Sequence, residues 1–284
     1  MKLLMKKSSI TLFTTLLFFF SYSQNPLKTA DFENQNKWVD SVYQSLNIDQ
    51  KIGQLFTIWV ATKQGDEKMN EIEKIIKKNH LGGLIFSLGN VSDQAKATNR
   101  FQSVSQVPLL IGMDAEWGIG MRLSDAFSFP YNMTLGAIQD NELIYKVGKR
   151  IGTHAKRLGV HINFAPVTDI NTNPKNPIIG SRSFGEDKIN VTKKSLAYLK
   201  GMQSVGIMGS AKHFPGHGDT STDSHKTLPT IDFSSKRIND IELYPYKELI
   251  NNNLSSVMVA HMEVPSLEKT PKLPSTLSKN IITR

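Results

Sequence analysis

The sequence predicts an α/β chain of repeated strand–helix units, a (β/α)8 barrel, on three observations. Short apolar runs of strand length alternate with amphipathic stretches of helical period. The runs lack strict polar alternation, which suits parallel strands covered on both faces. Polar residues gather just after the runs: Asp114 and Glu116, then Asp169, then Lys212 and His213, then His261. A barrel assembles its site from such C-terminal strand ends, whereas a doubly wound sheet concentrates ligand groups at one switch point.

The chain opens on a basic start with Lys2, Lys6 and Lys7, an apolar run from Ile10 to Phe20, and small residues Ser21 and Ser23 before Gln24. This pattern reads as a secretory signal over residues 1–23, leaving residues 24–284 as a periplasmic or secreted barrel domain. The run is short for a transmembrane helix, so no stable membrane span is expected after cleavage. Removing the three early lysines lowers the formal charge from +9 to +6. The remaining Lys and Arg are dispersed and not interleaved with aromatics, which argues against a nucleic-acid partner. With 39% hydrophobic residues over 284 positions, the chain has enough apolar material for a large core and is not a disordered tail. It has no cysteine, so neither a disulfide framework nor a lipid-bearing N-terminal cysteine is available to it.

Along the mature part, residues 54–60 read as a strand or as part of a helix. Clear strands follow at 81–88, 108–113, 159–165, 207–211 and 255–262. Helical stretches lie at 67–79, at 141–158, where Leu143, Val147 and Ile151 fall four apart, and at 236–251. Five or six strands are thus present where a closed barrel needs eight. His261, on an apolar run, reads as a hydrogen-bonded histidine of the core or one standing behind the residues of the site.

The most informative segment is Lys212-His213-Phe214-Pro215-Gly216-His217-Gly218-Asp219-Thr220-Ser221-Thr222-Asp223-Ser224-His225. It places three His and two Asp within thirteen residues on a strand end and its following loop. No metal is expected there, because the spacing matches no helical His pattern and a Gly-rich loop is a weak metal scaffold. In Asp223-Ser224-His225 a carboxylate can orient an imidazole and raise its proton affinity, making a proton donor and acceptor near neutral pH. A Ser-His-Asp hydrolase lacks support, since no Ser sits in a Gly-x-Ser-x-Gly elbow.

This segment, with the following Leu228-Pro229, resembles the signature of glycoside hydrolase family 3, more narrowly its bacterial β-N-acetylglucosaminidase branch. Further blocks carry the resemblance: Lys51 to Leu55, Leu81-Gly82-Gly83-Leu84-Ile85, Gly112-Met113-Asp114-Ala115-Glu116 and Asn163 to Asp169. Asn176-Pro177, Gly180 to Gly185 and Met258-Val259-Ala260-His261 complete it. The resemblance implies a (β/α)8 barrel and retaining hydrolysis through a covalent glycosyl-enzyme, with no metal or organic cofactor. It makes Asp223 and His225 the acid/base pair, and it makes Asp114, Arg122, Arg182, Lys212 and His213 the residues that hold the terminal sugar. For Arg122 and Arg182 a structural ion pair is the alternative. Glu116 and Asp169 read as carboxylates that hold loops rather than touch sugar.

Two departures qualify the resemblance. Where the branch commonly has Gly-Gly-Arg after the Asp-x-Glu, this chain has Trp117-Gly118-Ile119, which alters the rim that meets the aglycone. The family's nucleophile is an Asp in a Ser-Asp context after the next strand, and nothing after His261 fits it. The barrel is therefore expected to be incomplete at the C-terminus, with a further domain beyond Arg284 left open. The expected substrate is terminal β-linked N-acetylglucosamine of cell-wall muropeptides or chitooligosaccharides. Alternatives are a β-glucosidase or β-xylosidase of the same family, or a catalytically silent sugar-binding barrel lacking its nucleophile.

Overall fold

The computed structural model describes residues 31–224 and 226–283. The signal reading at 1–23 and the acid/base candidate His225 fall outside the described residues. Among these, six strands form one curled parallel sheet in chain order: β1 (Thr57–Val60), β2 (Gly83–Phe86), β3 (Leu110–Met113), β4 (Ile162–Asn163), β5 (Met208–Phe214) and β6 (Ser256–Val259). Sequential neighbours paired in parallel are the topology of a (β/α)8 barrel wall, not of a doubly wound sheet with a reversal in strand order.

Helices precede, separate and follow the strands. They are α1 (Phe32–Ser45), α2 (Ile48–Gly53), α3 (Gly65–Asn79), α4 (Val91–Val104), α5 (Asn132–Gly136), α6 (Asn141–Arg157), α7 (Lys188–Gln203), α8 (Ser235–Asp240), α9 (Tyr244–Asn251) and α10 (Lys279–Ile282). Their starts follow from local chemistry. Asn47 and Gln50 form a reciprocal capping box on α2, while the side chains of Asp140 and Asp187 accept backbone N–H groups at the starts of α6 and α7.

In the ambiguous run at 54–60 the strand alternative holds for its second half: the capped α2 ends before it, at Gly53, a turn follows, and β1 starts at Thr57. The other strands are shorter than their apolar runs, except that β5 extends three residues further, to Phe214. The single helix expected at 236–251 is two helices. Continuing one helix through Pro245 would remove a backbone donor and press the proline ring on the carbonyl of Ile241, so α9 starts afresh with Pro245 in its first turn.

One apolar core joins strand residues such as Phe86, Ile111 and Met113 to helix residues such as Ile72, Phe101, Ile144 and Leu199. A smaller cluster of Ile231, Ile238, Ala260, Met262, Val264 and Ile281 packs beneath α8. The backbones of α6 and α7 approach closely. A Cβ at Gly148 would lie 2.2 Å from the Tyr198 carbonyl oxygen, and one at Gly201 would lie 2.1 Å from that of Tyr145. Glycine at both positions lets α7 sit close enough to send Tyr198 into the core.

Candidate active site

Tyr198 is the first link from packing to site. Its hydroxyl lies 3.0 Å from the carbonyl oxygen of Ala115 and 3.1 Å from that of Glu116. From the other side the buried Asn163 side chain accepts the Ala115 N–H at 2.9 Å and donates to the Ala115 carbonyl at 3.1 Å, prolonging the β3–β4 ladder past its last strand residue. The segment after β3 is thereby fixed, and with it the side chains of Asp114 and Glu116.

Lys212, at the C-terminal end of β5 and 2% exposed, sends its ammonium between these carboxylates, 2.8 Å from Asp114 Oδ1 and 2.7 Å from Glu116 Oε1. Arg122 meets Asp114 Oδ2 at 2.7 Å. Arg182 grips Glu116 with two bonds, Nε to Oε2 at 2.9 Å and Nη2 to Oε1 at 2.7 Å. Arg182 is itself held by Asn132, whose amide donates to its carbonyl at 2.8 Å. The same Nη2 lies 3.3 Å from His213 Nε2, and His213 Nδ1 lies 2.7 Å from Asp169 Oδ2.

Asp169 also accepts the backbone N–H groups of His213 and His217. The network then enters the loop after β5: His217 Nδ1 is 2.6 Å from Thr220 Oγ1, and His217 Nε2 is 2.9 Å from Ser224 Oγ. Asp223 closes a turn, its carbonyl accepting the N–H groups of Lys226 and Thr227.

The electrostatics follow from this arrangement. Burial would raise the Asp114 carboxyl, but Lys212 and Arg122 outweigh it and hold the group below its ordinary value. Glu116 is pushed up by burial and carried down further by Lys212 and Arg182, to about 2. In Asp169 burial is again outweighed, by the His213 ring and the backbone donor of His217. Burial lowers His213, and Asp169 opposes this without reversing it. A neutral His213 that donates from Nδ1 to Asp169 leaves Nε2 as the acceptor facing Arg182 Nη2, a tautomer assigned from these partners.

Three carboxylates thus balance three cations around a neutral imidazole. Asp114 (18% exposed) and Arg182 (22%) keep an open side, while Glu116 (0%) has none. Charged donors and acceptors fixed by buried partners suit a neutral polyhydroxylated ligand, because bonds to ionised groups are about twice as strong as neutral ones. Among the described residues no three His, Asp or Glu side chains gather as a metal-holding group.

Glu116 and the other depressed carboxylates set an acid limit. A folded-state pKa of about 2 against an ordinary value of 4.5 means that Glu116 stabilises the fold fully above pH 4.5 and loses this as pH falls toward 2. The loss from this group is expected to be about 3 kcal/mol. Urea unfolding at pH 5 and pH 2.5 measures most of it, since the loss is complete only below the folded-state value. An equal unfolding free energy at both values would contradict the assignment, and Glu116→Gln should flatten the dependence.

Asp114, Arg122, Arg182, Lys212 and His213 therefore come together at the strand ends, and Asp223 lies on the loop whose Ser224 side chain meets His217. Both arginines are ion-paired, and Glu116 and Asp169 hold the cluster from within. His261 is hydrogen-bonded as expected, with Nδ1 2.7 Å from Thr276 Oγ1, but it is exposed just past the edge strand β6 and so does not belong to the core. The supports Asn163, Asn132 and Tyr198 were not singled out from the sequence. Asn163 carried a signal, a polar residue inside an apolar strand, whereas Tyr198 on a helix carried none.

Comparison with known proteins agrees with this fold. The sequence profile described as "Glycosyl hydrolase family 3 N terminal domain" matches residues 47–284. Beta-hexosaminidase A of Pseudoalteromonas piscicida is 37% identical over 237 residues, covering 75% of this chain and 40% of that protein. Beta-hexosaminidase LpqI of Mycobacterium tuberculosis is 31% identical over 218 residues, covering 74% and 54%. The structure of a glycoside hydrolase family 3 beta-N-acetylglucosaminidase from Paenibacillus sp. str. FPU-7 superposes with a TM-score of 0.78 at 38% identity, covering 84% of this chain and 46% of that one. This chain thus spans about half the length of these relatives. These matches, with the strand order that fits them, show that the chain belongs to glycosyl hydrolase family 3.

Proposed function

We propose that the protein removes terminal β-linked N-acetylglucosamine from cell-wall muropeptides or chitooligosaccharides, by a retaining mechanism, in the periplasm or outside the cell. In this reading Asp114, Arg122, Arg182, Lys212 and His213 hold the sugar. Asp223 and His225 form the proton-transfer pair that assists departure of the aglycone and later activates water. The observation that carries the reading is the single hydrogen-bonded path from Arg122 through Asp114, Lys212, Glu116, Arg182, His213 and Asp169 to His217 and Ser224. It links a charge-balanced sugar cradle to the loop that bears the pair. The names of the relatives support the choice of N-acetylhexosaminide, and the N-terminal pattern supports export.

The test uses the full-length protein with aryl β-N-acetylglucosaminide and aryl β-glucoside. Faster release from the first is expected, and preference for the glucoside would defeat the substrate assignment. Asp114→Ala should also weaken N-acetylglucosamine binding by roughly 1.5–3 kcal/mol, the range for a bond to a charged group. Unchanged affinity in calorimetry, with thermal unfolding confirming a folded variant, would place the pocket elsewhere.

A further inference from the structure

The loop after β5 is gripped on a side that the sugar cradle does not touch. Arg237 of α8, whose backbone N–H is taken by the cap residue Ser234, directs one guanidinium nitrogen to two carboxylates. Its Nη2 lies 3.3 Å from Asp219 Oδ2 and 3.1 Å from Glu242 Oε1. The guanidinium carbon stands 4.3 Å from the ring centroid of Phe233, so the fork is stacked as well as bonded. Glu242 supports the same loop by contact: a Cβ at Gly216, where φ is +131°, would fall 2.7 Å from Glu242 Cβ. On the inner side Gly218 presses on Ile170, and Asn176 donates to the His217 carbonyl at 2.7 Å. Residues 216–220 are therefore clamped from both sides, immediately before the segment that carries Asp223 and His225.

We infer that Arg237, through Asp219 and Glu242, is a positioning residue that holds the base of this loop so that the Asp-Ser-His segment following it meets the leaving group. The inference rests on the proposed role of that segment. The charge count gives it a distinctive consequence. One cation serves two carboxylates that both lie within 3.3 Å of it, and burial raises the Glu242 carboxyl despite Arg237. Without the guanidinium, Asp219 on the loop and Glu242 beneath it face each other as like charges, and the loop base is driven from its seat. Neutralising Asp219 removes that repulsion. A residue that merely fills space would not be rescued in this way.

The experiment compares the full-length protein with Arg237→Met, Asp219→Asn, the double variant and His225→Ala on aryl β-N-acetylglucosaminides of graded leaving-group acidity. Arg237→Met is expected to lower kcat about tenfold on poor leaving groups, a fraction of what general acid catalysis contributes, with little change on activated ones or in KM. Amide exchange over residues 214–224 should rise in the same variant, and Asp219→Asn in the double variant should restore most of both. Equal loss on every leaving group, unchanged exchange, or failure of the double variant to recover would overturn the inference. If His225→Ala itself shows no leaving-group dependence, the proposed role of the Asp-Ser-His segment fails. The exchange and its rescue then still decide whether Arg237 seats the loop. Should Arg237→Met not fold, Arg237→Lys, which keeps the charge but loses the planar fork, is expected to give a smaller shift of the same kind, and wild-type behaviour on every readout would count against the inference.

Discussion

Lys212→Met is expected to destabilise the protein by about 3–5 kcal/mol, the usual cost of removing one partner from a buried ion pair. The ammonium is 2% exposed and lies within 2.8 Å of both Asp114 and Glu116, and Glu116 has no solvent to fall back on. Methionine matches the stem in length and keeps the apolar contacts, so the loss reports charge rather than volume. Arg182 and Arg122 would remain, leaving three carboxylates against two cations. The double variant Lys212→Met/Glu116→Gln should recover part of the loss, because the pair is coupled and its costs do not add. Urea unfolding at pH 7 measures both. A single variant within 1 kcal/mol of wild type, a bound set from the ordinary spread of point mutants, would show that the cluster is not the electrostatic unit described.

The largest kinetic effect is expected at His225. Replacing it with Ala in the full-length protein should depress turnover of substrates with sugar leaving groups by about 10²–10⁴-fold, the span of general acid–base catalysis. Aryl glycosides with acidic phenols should suffer far less, since their leaving groups depart with little protonation. Steady-state kinetics on both substrate types decides the matter, and equal losses would remove His225 from proton transfer. Neither His213 nor His217 is a ready substitute. Asp169 and Arg182 occupy the two ring nitrogens of His213, and Thr220 and Ser224 those of His217.

Much of the fold was legible because its signal is local. Apolar runs without alternation mark parallel strands, helical spacing marks the cover, and the six strands appear where the runs lie. Their lengths were less legible, since an apolar residue past the last ladder bond looks the same in sequence as one inside the ladder. Pro245 shows a local signal outweighed in the reading by periodicity: the apolar spacing over 236–251 continues through the break, but the backbone does not. For His261 the apolar neighbourhood suggested a core position among the alternatives, whereas β6 lies at the edge of the described sheet and leaves the ring exposed.

The sequence by itself determined which residue types stand after which strands, and hence that Asp114, Lys212 and His213 converge, because a parallel barrel wall brings all its C-terminal strand ends to one face. Only the tertiary structure decided how they are joined. Pairing Arg182 with Glu116 spans 66 residues, and pairing Lys212 with Asp114 spans 98. Which cation meets which carboxylate then depends on side-chain reach in a shared low-dielectric space. Local sequence carries no record of that choice. The same holds for Tyr198 and Arg237, which stand on helices and gain their partners because helix–helix packing and the seat of one loop bring them there.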